Sequence, residues 1–284
     1  MIPRHRLRQA ISAALEEDLE HGDITTSSSL TGGETGRATA LAKSALVLAG
    51  IDVFRDVFLF LDPSLSFTAF QPDGQSVQPG EALAEVRGNL SAILMAERVA
   101  LNFLQRMSGI ATLTRRYVEA VQGTGARILD TRKTAPGLRI FDKYAVRIGG
   151  GTNHRFGLSD GVLIKDNHIV AAGGIRQAVQ RVRGKAPHTC RIEVEVKNLE
   201  ELAEAEAADV EIVMLDNMDI AAMKKAVELV GGRRLLEASG GITLENIRSV
   251  AETGVDLISV GALTHSPHAA DISLKIAGAS GVGA

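Results

Sequence analysis

CRIEVEVKNLEELAEAEAADVEIVMLDN, residues 190–217, reads as a strand, a helix and a second strand. The flanking runs CRIEVEVK and VEIVMLDN are apolar and rich in β-branched residues, and both end on charged or amide side chains. NLEELAEAEAA fills the gap with helical texture, and two strands joined in this way lie parallel through a right-handed crossover. Working outward, the same run recurs as ARILDTRK (126–133), DGVLIKDN (160–167), RRLLEASGG (233–241) and DLISVGA (256–262). The spacing is roughly thirty residues at first and roughly twenty later, with a second helix-like run, IAAMKKAVELV, at 220–230. In an α/β barrel the catalytic groups stand at the C-terminal ends of the strands. Here those ends carry Arg132 and Lys133, Lys165 and Asp166, Glu195, Asp216 and Asn217, Ser239 with Gly240 and Gly241, and Gly261. Six runs rather than eight predict an incomplete or open barrel, and periodicity alone leaves a doubly wound open sheet as the alternative.

The part before residue 110 has a different texture. Residues 4–19 predict an amphipathic helix, and TGGE, PDGQ and QPGE read as hairpin-type turns. SFTAFQPDGQSVQPGEALAEVRG, residues 66–88, alternates like short antiparallel strands, and SAILMAERVALNFLQRMSG, residues 91–109, predicts a helix apolar around most of its circumference. Arg98, Asn102 and Gln105 form one polar stripe on that helix. A stripe of this kind serves a subunit interface, a ligand or an ordinary exposed face.

The 284-residue chain is 45% hydrophobic with a formal net charge of −3, which points away from nucleic acid and anionic membrane as main partners. Its single cysteine, Cys190, cannot form an internal disulfide, and the N-terminal MIPRHRLRQAISAALEED lacks the apolar core of a signal peptide. The longest apolar stretch, residues 38–54, is broken by Lys43 and Asp52. A cytoplasmic location is expected. Against this mild acidity, residues 127–165 hold eight Lys or Arg against three Asp. Clustered cations beside glycines suit a small polyanionic ligand better than an ordinary surface.

SGG after LLEA and VGA after LIS place glycine and serine where a strand passes into a helix, a position where backbone N–H groups cradle phosphate. GGGTNHR (149–155) fits neither a Walker loop nor a dinucleotide fingerprint. Glu193, Glu195 and Lys197 alternate and share one strand face, so an inward face would bury two carboxylates that need partners or a metal. Asp216 could join Glu195 in holding Mg²⁺ or sugar hydroxyls. His154 and Arg155 are expected as ligand contacts. Cys190 reads as a small packing residue, and His21, His168 and His265 as hydrogen-bonding or capping residues.

The motifs TRKTAPGLR, KYAV, GGGTNHR, LIKDNH, EVEV, LDN, SGGI and GVDLISVGALTHS occur in that order, preceded by EEDLEHGDITT and ERVALNFLQRMSGIAT. As an ordered set, spanning about residues 15–272, they resemble the quinolinate phosphoribosyltransferase family. Two small departures are Ala135, where a second threonine is common, and Asp142, where glutamate is common. The resemblance implies an N-terminal α/β sandwich domain (1–108) and a partly open, six- or seven-stranded α/β barrel (109–264), with a tail (about 265–284) that packs back on the first domain. It implies phosphoribosyl transfer from PRPP to quinolinate with decarboxylation, giving nicotinate mononucleotide, pyrophosphate and CO₂ in de novo NAD biosynthesis. The alternatives are a molybdenum-transport-associated pyrophosphorylase-like protein and an inactive phosphate-binding barrel.

By the same resemblance, quinolinate would meet Arg132, His154, Arg155 and Lys165, with Arg98 supplied across the interface of a homodimer. Lys133 and Asp166 fall on PRPP positions. Glu195 and Asp216 match an acidic pair near the ribose and a Mg²⁺ cofactor, and Ser239, Gly240 and Gly261 match the backbone that holds the 5′-phosphate. Lys133, Glu195 and Asp216 would be catalytic. Arg139, Lys143 and Arg147 are expected to be structural or on a helix surface.

Overall fold

The computed structural model describes residues 2–280, so residues 281–284 of the expected tail lie outside the described residues. It divides into two compact units. The first contains residues up to Arg115, Ala135–Gly150 and the segment from Pro267 onward; the second contains Arg116–Thr134 and Gly151–Ser266.

In chain order the first unit opens with α1 (Arg4–Leu19), α2 (Ile24–Ser29), β1 (Thr35–Ala42), β2 (Leu46–Val47) and α3 (Ile51–Leu61). Next come β3 (Ser66–Ala69), β4 (Ser76–Val77), β5 (Ala82–Asn89) and the long α4 (Leu90–Ala120). The chain continues as β6 (Arg127–Leu129), α5 (Arg139–Ile148), β7 (Val162–Ile164), α6 (Asp166–Ala172), α7 (Ile175–Arg183), β8 (Ile192–Val196) and α8 (Leu199–Ala207). It ends with β9 (Ile212–Asp216), α9 (Ile220–Val230), β10 (Leu235–Ser239), α10 (Ile247–Ala251), β11 (Leu257–Ser259), α11 (Ala262–His265) and β12 (Ile272–Ser280). No described helix is long and apolar enough to cross a membrane.

The first unit is built on an antiparallel sheet of order β12-β1-β5-β3. In β1, Ala38, Ala40 and Ala42 are buried in alternation, as a strand with one covered face requires. The PDGQ turn also organises the helices. Asp73 accepts the N–H groups of Gly50 and Ile51, capping α3, and takes a 2.7 Å hydrogen bond from the Tyr144 hydroxyl on α5. Burial and that carboxylate push the Tyr144 phenol above its ordinary range.

The returning tail answers part of the polar stripe on α4. The Gln105 side-chain amide donates to the Ile272 carbonyl at 2.8 Å, and its own carbonyl accepts Ala270 N–H at 2.9 Å. The chain there runs so close to α4 that a Cβ on Gly109 would lie 2.0 Å from the His268 carbonyl oxygen. Only glycine fits beneath such a crossing.

The second unit carries all six expected strands in one parallel sheet of order β6-β11-β10-β9-β8-β7. From β7 to β11 each strand lies beside its sequence neighbour, and β6, the earliest, pairs with β11, the latest. A doubly wound sheet instead grows in two directions from its first strand, so this order is that of a barrel left open between β6 and β7. One parallel bridge, Leu129 with Thr152, enters that opening.

Replacing Gly109 with alanine should strain the tail crossing and lower stability by about 1–3 kcal/mol. The urea unfolding midpoint measures this, and an unchanged midpoint would mean that the tail does not seat against α4 as described.

Candidate active site

The C-terminal ends of the barrel strands surround a cavity of about 720 Å³, formed within the second unit. Alternation does the placing. Val194, Val213, Leu215, Ala238 and Ile258 are buried on one side of the sheet, while Glu195, Met214, Asp216, Ser239 and Ser259 line the cavity on the other.

Four cations stand in its wall: Arg132 and Lys133 beyond β6, Arg155 on the bridging segment, and Lys165 at the end of β7. Lys133 is held through its backbone, with its N–H bonded to Thr131 Oγ1 (3.0 Å) and its carbonyl accepting the Thr264 hydroxyl (2.8 Å). A side chain on Gly261 would crowd the Lys133 stem, its Cβ lying 3.2 Å from Lys133 Cδ. Arg155 donates from Nη1 to the Gly161 carbonyl at 3.0 Å, yet its buried Nε has no hydrogen-bond partner. Burial, then the neighbouring Arg132 charge, lower the pKa of Arg155, against the opposing pull of Glu193 and Asp160. A guanidinium that stays charged while partly desolvated beside another cation calls for an anion.

The acids stand opposite in sign and adjacent in space. Lys165 Nζ lies 3.4 Å from Glu195 Oε2, an ion pair half open to solvent on the lysine side. Asp216 ends the next strand. Two carboxylates on neighbouring strand ends, in a cavity that also presents cations for phosphate, form a donor set suited to Mg²⁺, which keeps several waters and shares ligands with substrate phosphates.

The cradle at β10 has its own geometry. Gly240 has φ +94°, and a Cβ there would lie 2.2 Å from Asn217 Oδ1. Asn217 itself adopts φ +54° and donates its N–H to the Ser239 carbonyl at 2.9 Å. Glycine is therefore required for the Asn217 amide to lie across the turn.

The cavity gathers Arg132, Lys133, His154, Arg155, Lys165, Glu195, Asp216, Ser239, Gly240 and Gly261. Two expected residues are not in its lining. Arg98 is exposed on α4 in the first unit, and Asp166 begins α6, where it pairs with Lys197 Nζ at 3.2 Å. A hydrogen bond from Asn167 N–H, then Lys197, hold the Asp166 carboxyl below its ordinary range. The dense positive run also divides. Arg139, Lys143 and Arg147 lie on α5 in the first unit, where Lys143 is buried and Arg147 sits 5.9 Å from the Tyr144 ring centre. His168 caps rather than binds: its Nδ1 accepts Lys165 N–H at 3.0 Å.

Sequence reasoning anticipated that an inward face would bury Glu193 but missed Glu237, and with it the layer the two form beneath the site. Glu193 on β8 and Glu237 on β10 are buried, and His154 Nε2 stands 3.2 Å from Glu193 Oε2 and 3.6 Å from Glu237 Oε1. Burial, then the Glu193 charge, push the Glu237 carboxyl up to about 8, against the opposing effects of His154 and Ser259. The available signal was Glu237 alternating with Ser239 in an otherwise apolar strand.

The likeness to known proteins extends over most of the chain. The family model described as quinolinate phosphoribosyl transferase, N-terminal domain, matches residues 23–108, and its C-terminal counterpart matches residues 110–275. A "probable nicotinate-nucleotide pyrophosphorylase [carboxylating]" of Synechocystis sp. is 47% identical over 266 residues, covering 92% of this chain and 90% of that protein. A Bacillus subtilis protein of the same description is 43% identical, covering 95% and 93%. The crystal structure of NadC from Streptococcus pyogenes superimposes with a TM-score of 0.93 at 41% identity, covering 97% of each chain.

The buried acid makes a prediction about stability. Because Glu237 holds its proton in the folded chain up to about pH 8, far above an unfolded carboxyl, the folded state binds the extra proton between about pH 4.5 and 8. Its contribution is complete below about pH 4.5 and is lost as pH rises through 8, with a slope of at most about 1.4 kcal/mol per pH unit. Glu237→Gln should remove that slope. Parallel pH–stability curves for the two proteins would show that Glu237 is ionised in the fold.

Proposed function

The chain belongs to the quinolinate phosphoribosyltransferase family, and from that premise we propose that its barrel transfers the phosphoribosyl group of PRPP to quinolinate, with decarboxylation. The products are nicotinate mononucleotide, pyrophosphate and CO₂, a step that feeds de novo NAD biosynthesis. The observation that carries the reading is the gathering of Arg132, Arg155 and Lys165 in one cavity with Glu195 and Asp216.

Arg132, Arg155 and Lys165 hold the two carboxylates of quinolinate, with His154 beside them and Arg98 of the partner subunit completing the site in a homodimer. Guanidinium groups suit this task because they meet a carboxylate through two parallel N–H bonds. Lys133 faces the pyrophosphate of PRPP, and Asp166 stands toward the same substrate. Ser239, Gly240 and Gly261 offer backbone and hydroxyl donors to the 5′-phosphate, near the N-terminal end of α11 and the turn at Asn217.

Glu195 and Asp216 face the ribose. As the bond from C1 to pyrophosphate lengthens, positive charge grows on the sugar, and fixed carboxylates stabilise it without reorganisation. The same two residues would hold Mg²⁺, directly or through water, and such an ion would supply charge to screen the leaving pyrophosphate. The pyridine nitrogen attacks C1 and becomes cationic. The electron pair of the adjacent carbon–carboxylate bond then stays on the ring carbon beside the cationic nitrogen as CO₂ departs, and a proton from solvent bonds to that carbon. The chain's own contribution is alignment and electrostatics, with no covalent intermediate on a side chain.

Neither the molybdenum-transport-associated reading nor an inactive barrel is favoured, because Lys133, Glu195 and Asp216 all stand in the cavity wall. Plain nicotinate is disfavoured as substrate, since one carboxylate would leave cations unpaired in a partly desolvated site.

With Mg²⁺ and PRPP, purified protein should convert quinolinate to mononucleotide with equimolar CO₂ and leave nicotinate nearly untouched. Turnover of nicotinate at a comparable rate would overturn the substrate assignment. Lys133→Ala and Glu195→Ala should each lower kcat by about 10²–10⁴ while the unfolding midpoint stays near wild type. Near-normal turnover in either variant would remove that residue from the chemistry.

A further inference from the structure

The segment Thr152–Arg155 contains a buried arrangement that the reaction does not use directly. Asp130, fully buried at the end of β6, accepts the Asn153 side-chain amide at 2.6 Å and the His154 backbone N–H at 2.8 Å. That fixes the backbone at His154. The imidazole Nδ1 then accepts the N–H of Arg155 at 2.7 Å, so this nitrogen carries a lone pair and the ring proton belongs on Nε2. Nε2 faces inward to Glu193 Oε2 at 3.2 Å and Glu237 Oε1 at 3.6 Å.

Both ring nitrogens are thus turned toward the protein. His154 shows a ring edge to the cavity, with its side chain 12% exposed, but its N–H points beneath the site. Glu193 and Glu237 are absent from the cavity lining and meet it through His154, with Ser259 of the lining also beside Glu237. Each has an Oε1 atom that is buried and without a hydrogen-bond partner. The groups facing this cluster are Arg132 and Asp160 near Arg155, and Ser259 near Glu237.

We propose that His154 is a positioning residue, held as the Nε2–H tautomer between the Arg155 N–H and the buried Glu193 and Glu237 carboxyls, and that it aims the Arg155 guanidinium at the substrate. This replaces the expectation that His154 itself contacts the pyridine acid, and it rests on the reading that Arg155 binds a carboxylate of quinolinate. The imidazole bonds Arg155 at its backbone, and the Gly161 carbonyl bonds it at Nη1. A Cβ on Gly161 would come within 3.3 Å of Arg155 Cβ, so the side chain runs between two fixed points. The guanidinium is held in this way in the cavity wall beside Arg132.

The test begins with wild-type protein labelled with ¹⁵N histidine. His154 should show an unprotonated Nδ1 and a protonated Nε2, with neither resonance moving appreciably when quinolinate is added. An imidazolium, the opposite tautomer or a large ligand-induced nitrogen shift would overturn the proposal. Kinetics supply the second arm. His154→Ala should raise KM for quinolinate about tenfold or more, with kcat and KM for PRPP within about threefold. In an Arg155→Ala background the same substitution should change KM less than about twofold, because a positioning residue loses its effect when the residue it positions is gone. Full multiplication of the two effects would make His154 an independent ligand. Stoichiometric metal retained by the purified protein and lost in Glu237→Gln would also sink the idea, since the ligand atoms of His154, Glu193 and Glu237 lie within 4.8 Å of one another. Wild-type protein that ignores quinolinate would refute the proposed substrate, while the nitrogen spectrum would still decide the tautomer.

Discussion

The second unit depends on one buried carboxylate. Asp130 ends β6 with no exposed surface and must satisfy a charge that the interior would otherwise exclude. It does so by holding Asn153 and His154, while its own N–H donates to the Thr152 carbonyl and Thr152 N–H returns to Ile128. The bridge at Leu129 and Thr152 is the backbone side of the same attachment. A six-stranded sheet that does not close on itself thereby gains a seam across the gap between β6 and β7. The seam also places cavity residues, because Arg132 and Lys133 lie two and three residues beyond Asp130 and Arg155 follows the residues it holds.

Charge is layered from that seam outward. The deepest layer is acidic, with Glu193 and Glu237 under His154, where burial and then the neighbouring acid push the Glu237 carboxyl upward. Above it stand Arg132, Arg155 and Lys165, and Lys165 already leans on Glu195. Cations packed against one another repel, yet Arg155 has Glu193 and Asp160 nearby and Lys165 has Glu195 beside it. A site of this kind can keep its positive groups fixed before a polyanion arrives, and fixed charge is worth more to a developing transition state than charge that must first be assembled.

Much of this was legible in the sequence, for physical reasons. Apolar, β-branched runs that end on polar residues can hardly be anything except strands leaving a core, and all six formed in one parallel sheet. The strand ends delivered Glu195, Asp216, Ser239 and Gly261 to the cavity because side-chain alternation is fixed by backbone geometry. Charge counting along the chain did less well. It grouped Arg139, Lys143 and Arg147 with Arg132 and Arg155, although α5 carries those three in the other unit and buries Lys143. Sequence distance says nothing about where a helix packs. Glu237 was overlooked for a related reason: one acid within an apolar run looks like noise until the strand opposite proves to carry Glu193.

The two departures from the family pattern fall where the chain depends on geometry more than on side-chain identity. Asp142 is fully buried and accepts Arg106 Nε and Nη2 at 2.8 Å each, a bidentate pair, and its Oδ2 also takes the backbone N–H of Ala135 at 3.3 Å. Position 135 thus contributes an N–H to this knot, which any residue except proline supplies, so alanine serves as well as threonine. A shorter acid at 142 is accommodated because a guanidinium on a long stem can advance to meet it. Removing Arg106 would take two N–H donors from a fully buried carboxylate, whereas lengthening the acid by one methylene asks only that the arginine retract. The tolerance is therefore asymmetric: carboxylate length can vary at 142, but the charge there cannot.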